Sequence, residues 1–174
     1  VVRWRSTVNV IDVPLDEDGD GIAEGDGLLD IVLMDHNGFV SFYRGFRDRD
    51  GSLKVKEGKK IFLCNGVPWC LDQGDQGKEG IRLVDWDCDG DLDALTTGSY
   101  HNGNAYFYEN ISTVSGEYNF VNRGDVHPRA LVDHETHIAF CDWNKDGVPD
   151  MIFGDISGSI YYLENSKCSL WNKE

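Results

Sequence analysis

Two nine-residue acidic segments carry the side chains of this chain that are best suited to chemistry. The first runs from Asp85 to Asp93 and the second from Asp142 to Asp150. Each has oxygen-bearing side chains at positions 1, 3, 5 and 9 and a glycine at position 6. Carboxylates spaced by two residues converge when a segment curls around a cation, and the glycine allows the sharp turn. The pattern predicts calcium binding.

Each segment offers five candidate ligands once position 7 is included. Those of the first segment are Asp85, Asp87, Asp89, Asp91 and Asp93. Those of the second segment are Asp142, Asn144, Asp146, Val148 and Asp150. Ca²⁺ prefers several oxygen ligands in a flexible geometry. A single acidic segment could equally be a solvated surface loop, but two copies that precede the same strand pattern favour calcium.

A third, looser copy lies upstream, where Asp26 to Asp30 leads into an apolar strand. Positions 1 and 3 of its register would be Ile22 and Glu24, so this copy departs from the pattern. We expect an insertion that splits this loop. Its ligands would then be Asp16, Asp18, Asp20 and Asp30. The alternative set is Glu24, Asp26 and Asp30, and the sequence does not choose between the two sets. The chain therefore predicts two or three calcium sites.

Short strand-like segments surround each loop, and few segments have a helical pattern. A first strand precedes each loop, at 8–13, 81–84 and 137–141. A second strand follows it, at 30–34, 94–97 and 151–153. A third strand follows a turn, at 39–44, 105–110 and 159–164. Outer strands are expected at 53–63 and 118–121. Four antiparallel strands per repeat are typical of a β-propeller blade.

The loops, together with the strands that end in Tyr108-Glu109-Asn110 and Leu163-Glu164-Asn165, resemble FG-GAP/VCBS repeats. These repeats are the calcium-binding blades of integrin-type β-propellers, which also occur in secreted glycan-binding and polysaccharide-degrading proteins. The resemblance implies an all-β fold of about three blades, at 1–63, 64–121 and 122–174, that belong to a seven-bladed propeller. We expect the third blade to lack its outer strand. We expect the remaining blades to come from a longer chain or from other copies.

Composition excludes two classes of partner. The 174 residues include 31 acidic and 16 basic side chains, for a net charge of −15. Nucleic acid requires a basic face, so it is not expected as a ligand. The sequence has no apolar run of about 18 residues, the length that a membrane-spanning helix needs. Calcium loops at this density suit the high calcium concentration outside cells, so we expect a secreted or cell-surface protein.

In blades of the family that the chain resembles, the loops opposite the calcium face surround a central pit. By that resemblance, four of the five histidines lie on or beside this face. The candidate catalytic residues are Tyr100, His101, His134 and His137, and the candidate substrate-binding residues are His36, Lys78, Arg82 and Glu135. Such a set suits an acidic polysaccharide as ligand. It also suits β-elimination, in which His or Tyr removes the proton next to a uronate carboxylate.

Other functions remain open. The chain resembles equally the propellers that bind proteins in adhesion, and it could be a structural portion of a larger enzyme. Polar loops with no functional role would also account for the histidines. His127, His134, His137 and Cys141 are acceptable zinc ligands, but a strand places His137 and Cys141 about 13 Å apart, so zinc is not expected.

Cysteine and tryptophan positions give weaker expectations. Cys64 and Cys70 flank a turn and could form a disulfide, although two free thiols are the simpler expectation. Trp86 and Trp143 recur at position 2 of the two loops, where we expect them to pack between repeats. Trp69, which has no counterpart in the other repeats, is the better candidate for stacking on a sugar.

Overall fold

The computed structural model describes residues 8–14, 25–71, 80–97, 105–112, 118–126, 137–154 and 158–166. These residues form antiparallel β-sheets and contain no helix, and one of the sheets is curled. The all-β prediction is confirmed. The chain divides into two compact units, residues 1–77 with 111–119, and residues 78–110 with 120–174.

The first unit contains a four-stranded sheet and a separate hairpin. Its strands are β1 (Val8–Ile11), β2 (Asp30–Met34), β3 (Val40–Tyr43), β4 (Gly45–Arg47), β5 (Leu53–Val55), β6 (Lys59–Lys60) and β7 (Phe62–Leu63). The sheet has the order β1-β2-β3-β6, and β4 pairs with β5. Val32, Leu33 and Met34 are buried in β2, the central strand that follows the first acidic loop.

The second unit contains two sheets. Its strands are β8 (Gly80–Val84), β9 (Asp93–Thr97), β10 (Ala105–Asn110), β11 (Asn119–Asp125), β12 (His137–Cys141), β13 (Asp150–Gly154) and β14 (Ile160–Leu163). The strands β8, β9, β10 and β11 are neighbours in that order, and the other sheet has the order β12-β13-β14. All pairs are antiparallel. Each acidic loop therefore joins the first two strands of its sheet, as predicted.

The two sheets of the second unit share one core. Leu95 and Phe107 from one sheet cluster with Ile138, Met151 and Phe153 from the other. These side chains come from alternate positions of their strands, which is the spacing that puts residues on one face of a sheet. Burial of this apolar surface is the main stabilising contribution to the unit.

The outer strand of the first repeat differs from the prediction. A single strand over 53–63 was expected, but this segment divides into β5, β6 and β7. Strand β5 forms a hairpin with β4 around the Asp50-Gly51 turn, and only β6 pairs with β3. Gly58, between β5 and β6, lies so close to the Tyr43 ring that an added Cβ would come within 2.5 Å of it. A side chain at position 58 would therefore clash with this ring.

The first three strands of every repeat lie close to their predicted positions. In the second repeat the outer strand β11 runs to Asp125 and is longer than expected. Among the described residues, no helix is long and apolar enough to cross a membrane.

Candidate metal centre

The loop between β8 and β9 gathers its carboxylates at one point. One oxygen from each of Asp85, Asp87 and Asp89 lies within 4.8 Å of the others. Asp87 is buried. Cys88 and Gly90 have positive φ angles of 63° and 100°, which curl the loop between these side chains. The first three predicted ligands therefore converge as their spacing requires.

Backbone N–H groups of the loop hold its carboxylates in place. The N–H of Gly90 donates to Asp85 Oδ2 at 3.2 Å. The N–H of Asp89 donates to Asp87 Oδ1 at 3.3 Å, and that of Asp91 donates to Asp89 Oδ1 at 3.1 Å.

Asp93, at position 9, anchors the loop to the sheet. Its Oδ2 accepts the N–H groups of Trp86 at 3.0 Å and of Asp87 at 3.4 Å. Its Oδ1 accepts the N–H of Asn110, the last residue of β10, at 2.9 Å. Asp93 is fully buried. One carboxylate thus fixes both the start of the loop and the end of the third strand.

The loop between β12 and β13 has the same backbone design. The N–H groups of Trp143 and Asn144 donate to Asp150 Oδ2, and that of Asn165 donates to Asp150 Oδ1. Lys145 and Gly147 have φ angles of 64° and 91° at positions 4 and 6. Corresponding bonds join Gly147 to Asp142, Asp146 to Asn144 and Val148 to Asp146. Every backbone bond described for the preceding loop recurs here.

The two loops differ in charge. The loop of the second repeat carries five carboxylates, whereas that of the third carries three, an amide at Asn144 and a lysine at position 4. The Asn144 amide donates to Asp146 Oδ2 at 2.9 Å. The hydroxyl of Tyr162 donates to Asp150 Oδ2 at 3.1 Å. The Asn144 amide and the Tyr162 hydroxyl therefore offset part of the carboxylate charge of the third-repeat loop. In the second-repeat loop, Asp87 takes the place of Asn144 and adds a negative charge instead.

Burial and mutual repulsion raise the pKa values of the second-repeat carboxylates. Burial is the main cause for Asp87, whose pKa rises to about 6, and for Asp91, whose pKa rises to about 7. The charge of Asp89 adds to both. Burial likewise raises the pKa of Asp93 to about 8. Carboxylates crowded in this way are stabilised in their charged form by a bound cation.

Two oxygen atoms in this loop fit a metal ion. Oδ1 of Asp85 and Oδ1 of Asp91 are buried without a hydrogen-bond partner among the described residues. Buried polar atoms normally have partners, so such atoms call for one that is not a protein donor. They belong to positions 1 and 7, two of the predicted ligand positions.

The first acidic loop uses residues that the sequence did not identify fully. The N–H groups of Val13 and Gly45 donate to the two oxygens of Asp30, as their counterparts do to Asp93. The N–H of Gly27 donates to Asp12 Oδ2, and that of Leu28 donates to Asp26 Oδ1. These bonds assign Asp12, Asp26 and Asp30 to positions 1, 5 and 9, with the insertion between positions 2 and 5.

Asp12 was missed because the first strand was expected to continue to Val13. Strand β1 ends at Ile11, so Asp12 follows it directly, as Asp85 follows β8 and Asp142 follows β12. An aspartate directly after the first strand of each repeat was the feature of the sequence that could have identified Asp12. The expected ligands Asp16, Asp18 and Asp20, and the alternative Glu24, lie outside the described residues.

Three of the eight residues proposed for a ligand face are described. His36 is exposed on the turn between β2 and β3, and His137 is exposed at the start of β12. Arg82 is half-buried and donates to the backbone carbonyls of Ile81 and Ile138. Burial lowers its pKa. These bonds give Arg82 a role in joining β8 to β12. Tyr100, His101, His134, Lys78 and Glu135 lie outside the described residues, as does His127 of the zinc set.

The tryptophans divide differently from the prediction. Trp86 is 3% exposed and packs edge-on against Phe140 of the neighbouring sheet at 5.7 Å, as expected for packing between repeats. The side chain of Asn165 also donates to the Trp86 carbonyl. Trp143, at the same position of its loop, is 66% exposed. Trp69 is buried, so the hypothesis that it stacks on a sugar is wrong.

The cysteines are in two chemical states. Cys88, at position 4 of the second-repeat loop, is disulfide-bonded. Cys64, Cys70 and Cys141 are free, so a bridge between Cys64 and Cys70 does not form. Cys168 lies outside the described residues.

Comparison with protein-family models, with curated proteins and with solved structures finds no match for this chain.

Proposed function

We propose that the chain is a calcium-binding β-repeat protein in which the loops of the second and third repeats each hold a structural Ca²⁺ ion. The observation that carries the proposal is the convergence of Asp85, Asp87 and Asp89 on a backbone scaffold that recurs bond for bond in the loop from Asp142 to Asp150. A surface loop without a ligand has no reason to repeat this arrangement.

The donor set favours calcium over other metals. The side chains that converge offer only oxygen, which suits hard cations rather than zinc or copper. Mg²⁺ demands near-octahedral geometry and keeps several waters, whereas Ca²⁺ accepts six to eight oxygen atoms in a flexible shell. A loop with four or five carboxylate or amide side chains and a backbone carbonyl at position 7 matches the larger ion.

The role of the ion is to stabilise the fold. Each loop connects the first two strands of its sheet, and its last aspartate also holds the end of the third strand. A ligand at about one hundred times its dissociation constant contributes about 2.7 kcal/mol to the free energy of unfolding. The same ion also offsets the burial and the repulsion from Asp89 that together raise the pKa values of Asp87 and Asp91.

We also propose that the repeats are FG-GAP/VCBS blades of a β-propeller. The support is the packing within the second unit, where Trp86 of one sheet is covered by Phe140 of the next. Glycan binding and lyase activity stay predictions, because most of the proposed ligand face lies outside the described residues. The disulfide of Cys88 supports a secreted or cell-surface location, since disulfides persist in oxidising compartments.

The test is calcium-dependent stability. Protein freed of metal is melted with and without Ca²⁺, and the calcium-induced rise in melting temperature is compared among variants. Asp87→Ala and Asp146→Ala should each remove part of the rise. Asp50→Ala is the matched control, because Asp50 lies in the β4–β5 turn, away from the acidic loops in sequence, and accepts hydrogen bonds from Ser52 there. A chain whose melting temperature ignores calcium would refute the proposal.

A further inference from the structure

The first acidic loop contains a buried arginine. Arg44 follows β3 and is 7% exposed. Its Nη1 lies 2.8 Å from Asp30 Oδ2 and its Nη2 lies 3.0 Å from Asp26 Oδ2. Nη1 also donates to the carbonyl of Val13 at 3.1 Å. The guanidinium thus bridges positions 5 and 9 of the loop and bonds to the backbone of position 2.

The hydrogen bonds to the last aspartate of each loop define which residues correspond. The N–H groups of Gly45, Asn110 and Asn165 donate to that aspartate in the first, second and third repeats. Arg44 precedes Gly45, whereas glutamates precede Asn110 and Asn165. The charge at this position is therefore reversed in the first repeat.

The glutamates confirm that this position faces the loop. The charge of Glu109 contributes to raising the pKa of Asp87, and Glu164 Oε1 accepts the Asn144 amide at 3.4 Å. In the second and third repeats the position adds negative charge to a loop that we propose binds calcium. In the first repeat it supplies the positive charge itself.

We propose that Arg44 is the resident cation of the first loop, so that this loop takes no calcium while the other two do. The inference rests on the proposed function, because it contrasts the first loop with two loops that bind calcium. A guanidinium cannot lose its proton at any ordinary pH, so it is a permanent counter-charge. Calcium bound through Asp26 and Asp30 would have to displace it or share both carboxylates with it against strong repulsion.

One oxygen atom of the first loop favours calcium binding there instead. Asp12 Oδ1 is buried without a hydrogen-bond partner among the described residues, as Asp85 Oδ1 is. A count of bound ions decides between the arginine and this atom. Native mass spectrometry in calcium should show two ions on the unaltered chain and none on the Asp87→Ala/Asp146→Ala double variant.

The outcomes separate the two proposals. Three ions on the unaltered chain would overturn the role of Arg44, and so would a double variant that binds an ion as tightly as the unaltered chain does. No ion on the unaltered chain would overturn the proposed function instead, and the second experiment then tests Arg44 by itself.

That experiment is hydrogen exchange on Arg44→Gln in metal-free buffer. Loss of one partner from a buried ion pair should speed exchange of the β2 amides on the order of a hundred-fold. Arg47→Gln is the matched control, because Arg47 is exposed and donates only to the Gly51 carbonyl among the bonds described for it. Unchanged exchange in β2 of Arg44→Gln would show that the guanidinium does not hold this loop.

Discussion

The carboxylates of Asp93 and Asp150 accept hydrogen bonds from the same three backbone positions of their repeats, yet their pKa values move in opposite directions. Burial raises the pKa of Asp93 to about 8. Burial also acts to raise that of Asp150, but hydrogen bonds from the Asn165 N–H and the Tyr162 hydroxyl lower it overall. Phe107 stands at the position of Tyr162 in the second repeat and has no hydroxyl to donate.

The metal-free protein should lose stability as the pH rises. Asp87, Asp91 and Asp93 have folded-state pKa values of about 6, 7 and 8, above the value of about 3.9 for an unfolded aspartate. Between these values the folded state holds more protons, so the free energy of unfolding falls as the pH rises from about 5 to about 8. Asp150, whose pKa is lowered, titrates below this range.

Calcium should reduce that slope, because a bound cation favours the ionised carboxylates and competes with protons for them. Thermal melts of metal-free and calcium-loaded protein across this pH range give the measurement. Asp91→Asn should flatten the slope of the metal-free protein only. A metal-free chain that becomes more stable over the same range would contradict the raised pKa values.

Asn144→Asp should strengthen calcium binding by the third-repeat loop. Asn144 stands where the second-repeat loop has Asp87, and its amide donates to Asp146. The substitution adds a charged ligand and removes that competing bond, and calcium affinity in such loops rises with ligand charge. We expect a several-fold lower dissociation constant by calorimetry. The reciprocal change, Asp87→Asn, should raise the dissociation constant of the second-repeat site. If both changes shifted the dissociation constant in the same direction, that result would count against two separate calcium sites.

Reduction of the Cys88 disulfide should weaken the second-repeat site selectively. Cys88 lies between Asp87 and Asp89 with a φ of 63°, so the bridge restrains the part of the loop that carries two ligands. Loss of a disulfide commonly costs about 2 kcal/mol or more of the free energy of unfolding. Terbium luminescence excited through Trp86 and Trp143 reports on binding. Trp86→Phe leaves only the third-repeat signal, which should not respond to reductant.

The chain should self-associate through the face that bears Trp143. Trp143 is 66% exposed, and Ile160 and Tyr162 on the same sheet are exposed as well. Exposed apolar side chains in one region are typical of interaction surfaces. Light scattering should show species larger than the 19.6 kDa chain. Trp143→Gln should shift the distribution towards monomer, whereas Trp86→Phe, a change inside the core, should not. A monodisperse monomer before substitution would refute this expectation.

Sequence patterns predicted the features that depend on neighbouring residues in the chain, namely most strand bounds and the two matching acidic loops. Strands β2, β10 and β12 have the predicted bounds because short runs rich in apolar and aromatic residues lie next to acidic and glycine-containing turns. The two matching loops were found from spacing alone. Asp12 was missed because the first strand was expected to continue to Val13, and the hydrogen bonds from the N–H groups of Gly27 and Leu28 restore the register across the insertion.

Other features depend on neighbours that no local pattern specifies. Trp86 and Trp143 have the same loop position, but among the described residues it is Trp86 that has another sheet packed against it, so the same residue type is buried in one loop and exposed in the other. Arg44 was not singled out, because a lone arginine after a strand has no distinctive spacing. Its role follows only from the distances to Asp26 and Asp30.

The hydrogen bonds of Asp93 mechanically couple the third strand of the sheet to the acidic loop. Through one carboxylate, the end of β10 at Asn110 is tied to the start of the acidic loop at Trp86. A force that peels β10 away would be transmitted through this carboxylate to the loop before any further strand separates. An ion held by the loop would then act as a lock, so the force needed to unravel the sheet should rise with calcium concentration even when the pulling points lie away from the acidic residues.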